Sequence, residues 1–173
     1  MEQYLDWEPT HRDGWKYEWS QGRIQTYERT MKTEEIFIVN NLTRLFIAST
    51  YFQAGGNLFV ETDFLLPGKE RVRRPDLAYY NRDQITASRT NKGLVPEFVI
   101  EVISTYDNAN ELERKLQDYF DVGVKCVWLI FPEFRHIRVF HSRKNSQTYL
   151  MGDMCSAAPA LPEFNVPVDA IFT

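Results

Sequence analysis

A chain of 173 residues, 43% hydrophobic and 14% aromatic, has the size and apolar content for one packed domain. Its net charge of −4 and pI near 5.4 exclude a molecule that holds nucleic acid by overall positive charge, so any such contact has to come from a local basic patch. Two cysteines make no disulfide framework; Cys126, inside an apolar run, reads as a buried free thiol and fits a reducing cytoplasm. The N-terminus has no basic-then-apolar signal pattern, and no apolar run has the length of a membrane span.

Residues 1–14 are polar and irregular and read as a lead-in. Trp15-Lys16-Tyr17-Glu18-Trp19 alternates aromatics with charges, Gln21-Gly22 can turn, and residues 23–27 return. This predicts a β-hairpin with Trp15, Tyr17 and Trp19 on one face and Lys16 and Glu18 on the other. Thr33 reads as a helix cap, with Glu34 and Glu35 in the first turn. Ile38, Leu42, Leu45, Phe46 and Ser49 recur at helical spacing, so a helix is expected over residues 33–51, stopped at Gly55-Gly56-Asn57. Residues 58–66 read as one strand, 69–74 as a basic turn, 76–80 as a short strand and 81–96 as a polar loop.

Phe98-Val99-Ile100-Glu101-Val102-Ile103 is the most apolar strand pattern but for its one acid. A helix follows over residues 110–122, with Leu112, Leu116, Tyr119 and Phe120 as its apolar stripe and Gly123 as its stop. Residues 124–131 read as another buried strand, 132–135 as a turn, and 137–141 with 147–151 as a possible strand pair. The proline-bearing tail, 161–172, reads as an extended wrap. Strand–helix–strand order around Glu101 predicts a right-handed βαβ unit with a parallel pair, and the fold class is α/β, a mixed sheet flanked by helices.

The candidate chemistry lies in two acids. Asp76 stands at the mouth of one apolar strand, after Arg71-Val72-Arg73-Arg74-Pro75, and Glu101 stands inside the next. A carboxylate in an apolar strand is costly to bury unless it is paired or bound to a metal. Two converging carboxylates suit a hard divalent cation. Lys115 falls at the border of the buried stripe of the following helix, within reach of the strand that carries Glu101. Plainer readings stand beside these: Asp76 as a turn cap, Glu101 as a structural acid paired with Arg73 or Arg74, Glu111 and Lys115 as a surface ion pair at i, i+4, and the arginine run as a solvated turn. His11, His136 and His141 have no metal-ligand spacing.

Pro75-Asp76, Glu101-Val102-Ile103 and a lysine on the next helix resemble the PD-(D/E)xK superfamily of restriction-endonuclease-like nucleases. The resemblance is narrower to its single-domain bacterial branch, mostly of unknown function. It is carried by residues 17–24, by Arg74-Pro75-Asp76-Leu77, by residues 96–104, and by Lys115-Leu116 with Tyr119, Gly123-Val124 and Trp128-Leu129. The superfamily lysine lies two residues after the Glu; here that position is Ile103, and Lys115 is the displaced counterpart. The resemblance implies a restriction-endonuclease-like core behind the hairpin, spanning the chain as one domain. It implies Mg²⁺ or Mn²⁺ held by Asp76, Glu101 and the carbonyl of Val102, with Lys115 orienting water or stabilising the transition state and Glu18 as an accessory acid. Arg71, Arg73 and Arg74 would contact flanking phosphates. The expected activity is hydrolysis of phosphodiester bonds, with nucleic acid, DNA first, as partner. The rival expectation is a non-catalytic binding module that keeps the fold; a further one is an enzyme acting on another phosphate-containing substrate. The aromatics Tyr4, Trp7 and Phe134 leave room for a homodimer.

Overall fold

The structure, a computed structural model, describes residues 15–20, 22–28, 33–69, 71–91, 93–104 and 107–173. The lead-in, with Tyr4, Trp7 and His11, lies outside them. The hairpin forms as expected, β1 (Trp15–Ser20) against β2 (Arg23–Glu28) in antiparallel register, with Gly22 at positive φ in the turn. Helix α1 (Thr33–Ile47) buries Ile38, Leu42 and Phe46, four residues apart on one stripe. The helix expected to continue to residue 51 instead breaks. Ser49 adopts an extended conformation and caps a short second helix, α2 (Thr50–Gln53), by accepting a hydrogen bond from the Phe52 amide.

The region expected as one strand over residues 58–66 is divided between two sheets. β3 (Asn57–Val60) ends at Glu61, whose φ is +46°, and β4 (Phe64–Leu65) begins in the other sheet. The basic turn is also a correction: Arg71–Arg73 form β5, antiparallel to both β1 and β4. β6 (Leu77–Tyr80) then joins the large sheet beside β3. Arg74-Pro75-Asp76 is therefore a crossing from the small sheet to the large one. Pro75 has no N–H to give to a ladder, which suits the place where one ladder ends and the next begins. The loop expected over residues 81–96 contains a helix, α3 (Arg82–Ala87), opened by a reciprocal capping box between Asn81 and Gln84. That box was legible as Asn-x-x-Gln.

β7 (Phe98–Val102), α4 (Ala109–Asp121) and β8 (Cys126–Phe131) form the expected strand–helix–strand unit, with β7 and β8 parallel. β9 (His136–Ser142) and β10 (Asn145–Tyr149) continue antiparallel, giving a six-stranded sheet in the order β10-β9-β8-β7-β6-β3. The tail is more ordered than a wrap. β12 (Leu161–Pro167) pairs with β11 (Met154–Ala157), and a short helix α5 (Asp169–Phe172) closes the chain.

Alternation along β7 and β8 sends side chains into two cores on opposite sheet faces. Phe98, Ile100, Trp128 and Ile130 pack with Ile38, Leu42, Phe46 and Phe164. Val99, Val127 and Leu129 pack with Leu116, Tyr119 and Phe64. Both faces are covered, so these central strands read as apolar runs instead of alternating patterns. Glu101 shares the parity of Val99 and so faces α4. Cys126 is buried as expected, its thiol pushed up to about 12 by desolvation, and Cys155 is buried too.

Gly56 lets this packing close, because a Cβ there would lie 2.7 Å from the Tyr79 ring and hydroxyl. Tyr79 itself is wedged between Phe46 and Tyr51, with ring centroids 5.7 and 6.2 Å away. Gly56→Ala is expected to destabilise the fold by about 1–3 kcal/mol, the usual cost of overpacking a core. Urea unfolding of the variant measures this, with Gly55 left unchanged.

Candidate active site

Asp76 and Glu101 meet at the sheet crossing. Leu77 pairs with Ile100 across β6 and β7, which sets the residue before Leu77 beside the residue after Ile100. Asp76 Oδ2 accepts a hydrogen bond from the Val102 amide at 2.7 Å, locking the two strand ends together. Glu101 is 3% exposed. Its Oε2 accepts from Lys115 Nζ at 3.1 Å, and its Oε1 takes a short hydrogen bond from the Tyr119 hydroxyl. Lys115 and Tyr119 are one turn apart on the inner face of α4, so a single helix supplies both donors. Tyr119 is fully buried and stacks on Phe64 at 5.9 Å.

Lys115 thus turns toward Glu101 and not toward Glu111, which pairs with Arg73 and Arg114 instead. Burial alone would lower the lysine pKa; the charges of Glu101, Glu18 and Asp76 outweigh that and raise it above the ordinary lysine value. All three acids named by the sequence therefore act on this one ammonium.

Glu18 lies inside, not on the solvent side of the hairpin. It is fully buried, with Oε2 2.8 Å from an Arg73 guanidinium nitrogen, Oε1 accepting from the Arg74 amide at 3.1 Å, and Lys115 Nζ at 3.9 Å. The small sheet packs its Glu18 face inward because β5 brings Arg73 to meet it.

The arginines are the main correction. Lys69, Arg71 and Arg73 alternate with period two, so all three face α4 and converge on Asp118 at 3.0, 2.7 and 2.8 Å. Arg73 is 1% exposed and bonds Glu18, Glu111 and Asp118 together, so it has no face left for a flanking phosphate. Arg74 has the other parity and forks onto Asp63 at 2.7 and 2.6 Å. Burial takes Arg73 out of the expected phosphate contacts, while Arg71 and Arg74 remain partly exposed beside their partners Asp118 and Asp63.

The sequence reading missed Asp118, Asp63 and the hydroxyl of Tyr119. The period-two cations were a signal for Asp118, since three like charges on one strand face demand a nearby acid. Nothing local marked Tyr119 as more than an apolar stripe residue.

The donor set fits a hard cation. Two carboxylates and the Val102 carbonyl are oxygen ligands of the kind Mg²⁺ and Mn²⁺ take. An ionised carboxylate has about four acceptor positions, more than the two that Lys115 and Tyr119 take on Glu101. Among the described residues no group of three or more His, Cys, Asp and Glu side chains is arranged to hold a metal. An ion here would rely on the two acids, the carbonyl and oxygens from outside the chain.

The fold thus brings together an acid at a sheet crossing, a second acid in the neighbouring strand and a lysine on the next helix, on a mixed sheet flanked by helices. A family model matches residues 1–169, and the chain belongs to the Uma2 family, described as "Putative restriction endonuclease". Its fold is similar to that in the crystal structure of "a putative nuclease belonging to DUF820" from Anabaena variabilis, with a TM-score of 0.81, 14% identity, and coverage of 99% of this chain and 96% of that one. None of the curated proteins compared matches the chain. Among the described residues no helix is long and apolar enough to cross a membrane.

Asp118 supplies a test of the ion network. Burial would raise its pKa, but hydrogen bonds from Arg71, Arg73 and Lys69 outweigh this and lower it. Its stabilising contribution is therefore present above its unfolded pKa of about 3.9 and is lost as pH falls through the lower folded value. Asp118→Asn is expected to cost about 3–5 kcal/mol near pH 7, the scale for breaking a buried ion pair, and to flatten the loss of stability below about pH 4. Denaturant melts across pH 3–7 read both effects.

Proposed function

We propose that this protein is a metal-dependent nuclease that hydrolyses phosphodiester bonds of nucleic acid, with DNA as the substrate, at the crossing where Asp76, Glu101 and Lys115 meet. The observation that carries the reading is the direction of Lys115. A lysine displaced from the usual strand position onto α4 still brings its ammonium to Glu101 at 3.1 Å. Asp76, Glu101 and the Val102 carbonyl are the residues that would hold Mg²⁺ or Mn²⁺, whose chemistry when bound is to activate a water and to neutralise charge growing on the phosphate.

The chain's own groups have separable tasks. Lys115 is a charged donor held close to the acids, placed to orient a water or to offset negative charge in the transition state. Tyr119 fixes the rotamer of Glu101 from the dry side. Glu18 does not need to touch substrate: by accepting from the Arg74 amide it holds the chain two residues ahead of Asp76. The second reading, a non-catalytic module with the same fold, is favoured by one observation, the pairing of both Glu101 oxygens within the chain.

Two measurements decide between them. Millimolar Mg²⁺ or Mn²⁺ is expected to raise the melting temperature of the native chain, and Asp76→Asn or Glu101→Gln to abolish the rise. An unchanged melting temperature in the native chain supports the binding module. Lys115→Met is expected to cut turnover of a DNA substrate about a hundredfold or more while metal binding, followed by calorimetry, persists. Because that change leaves Glu101 buried without its cation, it also costs several kcal/mol, about 3–5. The assay is therefore read on folded protein at low temperature. Full activity in Lys115→Met removes the lysine from the mechanism.

A further inference from the structure

A cavity of about 320 Å³ opens on the α4 face of the large sheet, at its β3 edge, and the proposed hydrolysis makes no use of it. Its walls include Phe59, Leu65, Ile85 and Leu94, with Tyr80, Asp63 and four further polar residues, three of them on helix α3 and the loop after it. That volume is at the lower end for pockets that enclose small ligands, about 300–1,000 Å³. Tyr80 is only 7% exposed as a residue, but its hydroxyl is not among the fully buried polar atoms left without a partner. The hydroxyl belongs to a side chain that lines an open cavity, where a ligand atom can hydrogen-bond to it. Phe59 stands edge-on to the Tyr80 ring, with centroids 6.0 Å apart at 69°, so the aromatic wall is fixed before any ligand arrives.

The charges define the guest. Asp63 is the acid in the lining, and the Arg74 fork neutralises it. Gln84 also lines the cavity, but its amide is already used by the Asn81 cap and the Val95 carbonyl. Among the described lining residues there is no lysine or arginine. A flat, neutral ring with hydrogen-bonding edges fits such walls: apolar faces take its π surface, and Tyr80 and Asp63 take its edge.

The location suits one source of such rings. Asp76 and Tyr80 share parity along the same run of chain, so both face α4, about 13 Å apart at roughly 3.3 Å per residue. Arg74 links the two places, its amide on Glu18 and its guanidinium on Asp63. We propose that this cavity is a binding site for a single unstacked nucleobase of the strand whose phosphate lies at Asp76 and Glu101. The origin of the ring rests on the nuclease reading; the pocket's preference for a neutral heteroaromatic ring does not.

The test uses the full chain without metal and without a scissile bond, so it stands apart from any failure of catalysis. Adenosine, cytidine and, separately, inorganic phosphate are titrated while backbone amide shifts are followed by NMR. The expected result is saturable, millimolar binding of the nucleosides with shifts centred on Tyr80, Ile85 and Leu94, and none with phosphate. Tyr80→Phe keeps the ring and removes the hydroxyl; it is expected to weaken binding at least fivefold with the melting temperature unchanged. Ile85→Trp, which fills the cavity from a half-exposed helix position, is expected to abolish it. The proposal is overturned if neither nucleoside gives a saturable shift, if the shifts survive Ile85→Trp, or if phosphate alone reproduces them.

Discussion

The structure depends on a buried guanidinium. Arg73, 1% exposed, donates to Glu18 on β1 and to Glu111 and Asp118 on α4. A charge this deep is tolerable only when it is paired and hydrogen-bonded. The small sheet, the crossing strand and α4 must therefore sit where those three carboxylates reach one side chain. Lys69 and Arg71 add two more bonds to Asp118, so the small sheet is tied to the helix by charge as well as by the apolar packing of Phe64 on Tyr119.

The same helix carries the proposed chemistry. Successive turns of α4 present Glu111, Lys115 and Asp118 with Tyr119 along one inner face. Asp118 and Glu111 serve the arginines, and Lys115 and Tyr119 serve Glu101. Holding α4 by ion pairs fixes the position of Lys115 relative to the strand ends, which is the kind of support a site needs from residues that do not themselves react. Glu18 couples the two sets, since one oxygen faces Arg73 and the other faces the Arg74 amide and Lys115. The acids and cations here form a nearly balanced cluster, in keeping with a chain whose overall charge is slightly negative.

This arrangement also separates two ways of meeting a nucleic acid. Of the arginine run expected to contact phosphates, Arg73 is buried in internal pairs. What remains open near the crossing is a cavity with aromatic and apolar walls and a neutralised acid. Contact through ring faces and edges is less dependent on net charge than contact through phosphates.

The chain order of β7, α4 and β8, the apolar character of β7 and β8 and the α4 stripe were legible because each rests on local periodicity and on glycine at a helix end. So was the placement of Asp76 and Glu101 at the ends of neighbouring strands. Local pattern could not show that residues 58–66 divide between two sheets, because the break at Glu61 is made by the crossing of chains and not by a proline or glycine. Nor could it show that Arg73 points inward: a basic run reads the same on a wet turn and on a strand facing a helix. Which acid a buried cation finds is decided by elements far apart in the chain, here 45 residues between Arg73 and Asp118, and only the folded arrangement brings them within hydrogen-bonding distance.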